Sequence, residues 1–398
     1  MQYRGLTQSE YPRLLDLLEE VNIAPREYFR NLYDLDPYED PELSRVAVDG
    51  GRFVGHVRVF PRPHGGGAAQ LWSGAIANVG TLADYRGRGV CRQLLEDSVA
   101  LMRKRGMHYS TVLSGVPVYG KCGWEELPRT GHLVSVHDVR LPMPHDWSVR
   151  IFVRERDLVQ VAAIYEEFNR ERPLAVQRSM DYWFANLNTA IETSSLFLVV
   201  EQNGEVAAYM RGHQKGDAVT CLEAAHRCGA EQAYAALAWV FSRYYRKCLW
   251  RTVRLRLPGD HPLIASLSAV FRVDQVTVPH LWMRLVDLAG LLESFAPLWS
   301  RRIATARVPG SSCCRLQCAD QEAVLRLGAT SSVEASTRSQ TVSSGLPTIA
   351  LSQRELFELI FGVSSDAVRR VLTGPRERRL WEAALRGPAA VYWGADDV

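Results

Sequence analysis

The sequence predicts an α/β protein of mixed sheets flanked by helices, with one unit occurring twice and a smaller α+β unit after it. Three observations predict this. Between Asn78 and Trp124 an extended segment runs through a basic glycine turn into an amphipathic helix and then a second extended segment. The order strand, helix, hairpin, strand, helix, strand occurs once before the proline-rich Leu141-Pro142-Met143-Pro144 and again after it. Beyond Arg301 the chain becomes rich in Ser, Thr, Gly and Cys, with short alternating segments followed by helix signals. At 398 residues the chain is long for one domain. These signals place boundaries at 1–144, 145–300 and 301–398.

In the first unit Gln2 to Leu6 reads as a strand, and a helix after Ser9 carries Leu14, Leu17 and Leu18 on one side. Arg45 to Val48 and Phe53 to Phe60 flank Asp49-Gly50-Gly51, a hairpin signal. His64 falls in Pro63-His64-Gly65-Gly66-Gly67, which reads as a flexible, exposed loop. Leu71 to Thr81 is the next strand. The helix beyond it has Cys91, Leu94, Leu95 and Met102 at helical spacing. Glu96 and Asp97 precede Arg103, Lys104 and Arg105, so the cations lie at the negative end of the helix dipole, and Gly106 stops the helix. His108 to Leu113 is a strand, and His132 to Val139 closes the unit as another.

The second unit repeats this order. Val149 to Val153 reads as a strand and Asp157 to Asn169 as a helix. Leu196 to Glu201 and Glu205 to Gly212 form a hairpin around Asn203-Gly204. Val219 to Ala224, Ala233 to Tyr245 and Thr252 to Leu257 follow as strand, helix and strand. Leu281 to Asp287 is an apolar strand leading into a helix with Leu288, Leu291, Leu292 and Phe295. In the last unit Val308 to Leu346 reads as sheet. Ser352-Gln353-Arg354-Glu355 is a capping box for a helix bearing Leu356, Leu359 and Ile360 that stops at Gly362. Ser365 caps a further helix with Val368 and Val371.

Composition narrows the function. Hydrophobic residues make up 47% and charged residues 23%, enough for sizeable cores in an ordinary soluble balance. The net charge is +3, and the basic residues are spread out without interleaved aromatics, so nucleic acid is not expected as a partner. The N-terminus has no apolar signal core and no apolar run is long enough to span a bilayer. A cytoplasmic protein with reduced cysteines is expected. Cys313, Cys314 and Cys318 have no histidine nearby and no matching second pair, so they read as packing residues and no metal is expected. Asp34-Leu35-Asp36-Pro37-Tyr38-Glu39-Asp40-Pro41-Glu42 is an acidic, proline-broken loop. It reads as a solvated surface or as a carboxylate wall that attracts a cationic amine.

Arg86-Gly87-Arg88-Gly89 sits between strand and helix. Glycines let backbone approach a ligand closely, a helix N-terminus offers free N–H groups to an anion, and two arginines add charge. This is a plausible pyrophosphate cradle. An ordinary strand-to-helix turn is the other reading of a short glycine loop. The run Arg86-Gly87-Arg88-Gly89-Val90-Cys91, followed by Tyr119-Gly120-Lys121-Cys122-Gly123-Trp124, resembles the GNAT superfamily of acetyl-CoA-dependent N-acetyltransferases. Cys91 stands where that family usually has Gly or Ala. The resemblance implies two parallel strands that splay apart around the pantetheine arm of acetyl-CoA. Val79, Gly80 and Thr81 would line that arm, and Arg86, Gly87, Arg88, Gly89 and Val90 would hold the pyrophosphate. The backbone N–H near Val79 would polarise the acetyl carbonyl. Tyr119 would be the general acid that protonates the leaving thiolate. Its other reading is a core aromatic beside Trp124.

Two such units and a tail resemble, over essentially the full length, the Eis (enhanced intracellular survival) acetyltransferases. That resemblance implies an active GNAT domain and a degenerate one, because His226-Arg227-Cys228-Gly229-Ala230 has lost most of the loop pattern. It also implies a C-terminal domain shaped like sterol carrier protein, a homo-oligomer such as a hexamer, and amines of small molecules as acceptors, aminoglycosides and other polyamines among them. The final residues carry Tyr392 and Trp393, whereas a solvated tail is polar. The resemblance implies that the Val398 carboxylate enters the first active site as the base; a tail packed on a domain surface is the other reading. The rival functions are a protein or peptide lysine acetyltransferase and a non-catalytic acyl-CoA-binding regulatory module.

Overall fold

The computed structural model describes residues 1–22, 24–189, 195–247, 249–335, 346–361, 375–393 and 396. The chain packs into two compact units. One comprises Met1–Leu127 and His280–Gly387; the other comprises Pro128–Pro279 and Pro388–Asp397.

The main sheet of the first unit has the strand order Gln2–Gly5, Ser44–Asp49, Arg52–Gly66, Ala69–Thr81, Tyr109–Leu113, Leu281–Leu285, Glu125–Glu126. All neighbours are antiparallel except Ala69–Thr81 and Tyr109–Leu113, which run parallel. Helices Tyr11–Val21 and Arg26–Asp34 bury Leu14, Leu15, Leu17, Leu18, Phe29, Leu32 and Tyr33. Helix Val90–Lys104 buries Val90, Leu94, Leu95, Ser98, Val99, Leu101 and Met102. It packs close because Gly55 and Gly74 leave room: a Cβ there would lie 2.8 Å from Val90 Cγ1 and from Met102 Cε respectively.

The second sheet repeats the order with Trp147–Ile151, Leu196–Gln202, Glu205–Lys215, Ala218–His226, Thr252–Leu255, Arg129–Ser135, Arg272–Val278. Again only the fourth and fifth strands, Ala218–His226 and Thr252–Leu255, are parallel. Each sheet takes its sixth strand from the other half of the sequence. Arg129–Ser135, expected to close the first unit, pairs with Thr252–Leu255 and Arg272–Val278. Leu281–Leu285, expected in the second unit, pairs with Tyr109–Leu113. The packing units therefore divide at 127/128 and 279/280, where the sequence signals divide at 144/145 and 300/301.

Residues 301–387 add a smaller sheet to the first unit, in the order Ser332–Ala335, Gln321–Leu327, Ser312–Cys318, Thr348–Leu351. The capping box at Ser352 and Glu355 forms as expected and opens helix Gln353–Ile360. The helix expected from Ser365 through Val368 and Val371, and its Gly362 boundary, lie outside the described residues, as does Cys248. Helices Arg26–Asp34 and Met180–Thr189 have no counterpart in the sequence reading. His64 departs from expectation. The strand Arg52–Gly66 continues through it, and the side chain is buried with Nε2 2.8 Å from Ser73 Oγ. The described cysteines are free, and none of the described helices is long and apolar enough to cross a membrane.

The described part of the C-terminal segment packs in the second unit. Val391 N–H donates to Pro173 O at 2.9 Å, and the buried Trp393 donates its Nε1–H to Asn169 Oδ1 at 3.1 Å. Asp396 accepts from Arg178 Nε and Nη2, both at 2.9 Å, and from Tyr182 Oη at 3.1 Å. Arg178 is fully buried and also holds Glu223. Asp396→Ala leaves that guanidinium with one carboxylate in place of two. Breaking a buried pair from one side costs about 3–5 kcal/mol. The expected loss is of that order, read as a lower urea midpoint at unchanged slope.

Candidate active site

The fourth strand is interrupted. Its partner pairs His56 with Gly80 and Arg58 with Ala77, so Val57 alone faces both Asn78 and Val79. This is a β-bulge, which bends the strand and increases its twist. Asn78 takes φ +50°, a left-handed conformation that asparagine tolerates better than most residues. The parallel ladder to the fifth strand covers only Ser73–Tyr109, Gly74–Ser110 and Ala75–Thr111. Beyond it the two strands have parted, while Val112 and Leu113 keep their pairing with Trp282 and Leu281 on the opposite edge. Ala77, Asn78, Val79 and Thr81 are only half-buried, after the buried run Ser73–Ile76. A gap between parallel strands thus opens at Val79, Gly80 and Thr81.

The bulge is held from the third strand. Buried His56 bonds through Nδ1 to the Asn78 carbonyl at 2.8 Å. That contact requires Nδ1 to carry the proton, which leaves Nε2 to face the Tyr33 hydroxyl at 3.5 Å. Burial pushes the imidazole down to about 3 and the Tyr33 phenol up to about 12, so both are neutral over the physiological range. Arg58, on the same face, is buried too. It donates to Asp40 O at 2.9 Å, pairs with Glu39, and lies over the Tyr33 ring at 4.9 Å.

The loop after the strand has the expected form. Gly87 and Gly89 adopt φ +75° and +81°, and a Cβ at either would meet nothing within 4 Å. Their role is therefore backbone conformation in open space. Gly89 is the N-cap of helix Val90–Lys104, with no side-chain cap. First-turn N–H groups there are available to an anion. Arg88 is exposed over the Tyr85 ring at 5.1 Å. Arg86 is exposed but donates Nε–H to Thr81 O at 3.2 Å, tying the loop to the strand end. Gly80 has a different cause: a Cβ there would lie 2.3 Å from Val21 Cγ2, so helix Tyr11–Val21 demands it.

Tyr119 lies on the short helix Val118–Lys121, is buried, and meets Trp124 edge-on with ring centroids 6.2 Å apart. Burial, reinforced by the neighbouring Cys91, pushes its phenol up to about 12, against a hydrogen bond with Ser114. It therefore holds its proton at neutral pH. Val398 lies outside the described residues. The acidic segment is largely exposed, as the solvated-surface reading expects, and four of its carboxylates are paired with arginines. Asp36 is buried against Arg62 at 3.0 Å, Glu39 pairs with Arg58, and Asp40 and Glu42 both hold Arg105, at 2.7 and 2.8 Å.

Known proteins are similar to this part of the chain and to its whole length. The chain fits the model of the acetyltransferase (GNAT) domain over residues 2–127. Residues 2–127 are a GNAT acetyltransferase domain. A stretch of 79 residues, 20% of the chain, is 33% identical to N-alpha-acetyltransferase 30 of Schizosaccharomyces pombe and covers 51% of it. The chain thus spans about half the length of that curated relative. Three solved structures are similar over nearly the whole chain. A probable N-acyltransferase of Enterococcus faecalis V583 has a TM-score of 0.69 at 13% identity, covering 98% of this chain and 99% of its own. A GCN5-related N-acetyltransferase of Kribbella flavida gives 0.67 at 18%, covering 98% and 96%. Eis1 of Mycobacterium abscessus gives 0.65 at 14%, covering 98% and 99%. At these identities the likeness is one of fold.

The second unit repeats the strand order of the GNAT sheet and bulges at the same place. Arg211 pairs with Glu223 and Gly212 with Cys221, so Leu222 is the extra residue. Its parallel ladder likewise stops, at Cys221–Leu255. Here the gap is closed by the protein itself. His261, buried, donates Nε2–H to Ala224 O at 2.9 Å and accepts from Leu263 N at Nδ1. Trp393 packs near His261 and Phe168. Sequence reasoning missed His56, Tyr33 and this closure. Alternation of His56, Arg58, Arg62 and His64 along one strand was the available signal: four polar residues at period two, all buried, announce a polar layer. For the GNAT domain, Gly80→Ala is expected to destabilise by about 1–3 kcal/mol through overpacking. Adding Val21→Ala recovers part of that loss in chemical denaturation, which separates helix packing from any effect on ligand.

Proposed function

We propose that this protein is an N-acetyltransferase that passes an acetyl group directly from acetyl-CoA to an amine of a small molecule, a polyamine such as an aminoglycoside being the favoured class. The observation that carries the reading is the opened strand pair of the GNAT domain, with an uncapped helix N-terminus and a glycine-arginine loop at its end. The donor set suits the co-substrate. Val90 and the first helical turn with Arg88 would receive the pyrophosphate, Arg86, Gly87 and Gly89 would shape the loop, and Val79, Gly80 and Thr81 would face the pantetheine arm through their backbone.

The chemistry joins the amine nitrogen to the acetyl carbonyl carbon and breaks the carbon–sulfur bond. The Val79 N–H would stabilise the carbonyl oxygen as it gains charge. Tyr119 would give its phenolic proton to the departing sulfur and be reprotonated by the proton the amine loses, through solvent. Its raised phenol keeps the proton in place until the thiolate departs. The small-molecule acceptor rests on the Eis resemblance. A second reading, a peptide amine, draws on the local similarity to N-alpha-acetyltransferase 30.

Acetyl-CoA-dependent release of free thiol across aminoglycosides, polyamines, lysine peptides and peptides with a free N-terminus tests both. Turnover with the polycations alone supports the first reading, and turnover with the peptides alone overturns it. Tyr119→Phe is expected to lower kcat by roughly 10²–10⁴, the usual share of a general acid, with acetyl-CoA affinity unchanged. An acid that must be protonated loses function as pH rises through its pKa. The phenol at about 12 therefore gives the wild type no alkaline fall in kcat below pH 10 that Tyr119→Phe would remove.

A further inference from the structure

On the reading that the GNAT domain transfers an acetyl group, we propose that His56 is a positioning residue, whose imidazole fixes the Asn78 carbonyl and thereby aims the Val79 N–H into the gap between the parted strands. The Asn78 carbonyl and the Val79 N–H belong to one peptide unit. A trans unit sets them on opposite edges, and all described peptide bonds are trans. The carbonyl is held at 2.8 Å by a side chain of the third strand. The N–H then faces the other edge, where the fifth strand has left the ladder after Thr111. An oxyanion donor works only when it is aimed before charge develops.

Three features show that this unit is held deliberately. Asn78 sits at φ +50°, a conformation that costs free energy and persists only where surroundings enforce it. The enforcing imidazole is fully buried, and Tyr33 faces its other nitrogen. Arg58 stands beside it, and together with burial it keeps the ring neutral, in the tautomer that donates to Asn78. Protonation would not break that bond, but it would place a second cation beside Arg58.

The test compares two substitutions that remove the ring equally. Asparagine carries a donor N–H at the position of Nδ1, and leucine carries none. His56→Leu is expected to lower kcat on the order of tenfold or more, a fraction of the ~10²–10³ that deleting an oxyanion donor costs. The KM for acetyl-CoA should stay within about threefold, since positioning acts after binding. His56→Asn should recover most of the rate although it leaves the larger void. Equal loss of kcat in both variants, in step with their melting temperatures, overturns the proposal in favour of simple packing. So does an unchanged kcat in His56→Leu.

An acceptor-free readout separates this proposal from the reading it rests on. The carbonyl stretch of bound ¹³C-labelled acetyl-CoA reports polarisation directly in the infrared. It should lie lower in wild type and His56→Asn than in His56→Leu. The same frequency in all three overturns the role of His56 even if no acceptor is found. Failure of the wild type to bind acetyl-CoA at all overturns the reading itself.

Discussion

Backbone N–H and C=O groups inside a protein must find partners, and the organisation of this site follows from one place where the sheet does not supply them. The bulge at Asn78 and Val79 takes the fourth strand out of register with the third, just past the end of its parallel ladder. A strand bent there cannot remain bonded on both edges. The fifth strand stays paired along its far edge with Leu281–Leu285, from Tyr109 to Leu113. The exchanged sixth strand therefore holds the fifth from its far side, and at the bulge His56 supplies a donor to the Asn78 carbonyl from a side chain.

The two sheets make the argument by contrast. Both bulge on the fourth strand, at Asn78 and at Leu222, and both lose the parallel ladder close by. In the second sheet the Ala224 carbonyl is taken by His261, and Arg178 binds Glu223 and Asp396 in a buried network. Burying three charges is expensive unless each is paired, and here the C-terminal segment supplies one of the pair members. The same opening is left to solvent in one sheet and satisfied internally in the other. The loop sequences agree: two glycines and two arginines precede the first helix, while Arg227 of the second loop is engaged with Glu205.

What could be read in the sequence was local. The helix Val90–Lys104, its Gly89 and Gly106 ends, the hairpins and the Ser352 capping box all rest on spacings of a few residues, and the structure has them. The glycine turn before that helix was legible for the same reason. What was hidden depended on distant partners. The exchange of Arg129–Ser135 and Leu281–Leu285 joins segments that no periodicity relates. Gly80 looks like a ligand-facing glycine until Val21 is placed over it. His64 sits before three glycines and reads as loop, yet the hairpin extends to Gly66 and turns only at Gly67, φ +63°. His56 is one of four alternating polar residues on the third strand, and its meaning lies in a bulge on the neighbouring strand.

The acidic stretch from Asp34 to Glu42 shows how far charge alone can mislead. A run of carboxylates suggests a field that draws in a cationic amine. In the fold Arg62 and Arg58 rise from one face of the third strand and take Asp36 and Glu39, while Arg105 takes Asp40 and Glu42. Burial holds Glu39 up at about 7 even beside Arg58, so its charge is weakened as well as paired. Asp36, Glu39, Asp40 and Glu42 are each matched by a cation within hydrogen-bonding distance, and the field beyond such a pair falls off steeply. The segment instead supplies the partners of Arg58 and Arg62 in the polar row. Its acidity is the complement of buried arginines, and by supplying Glu39 to Arg58 it supports the face on which His56 holds the bulge.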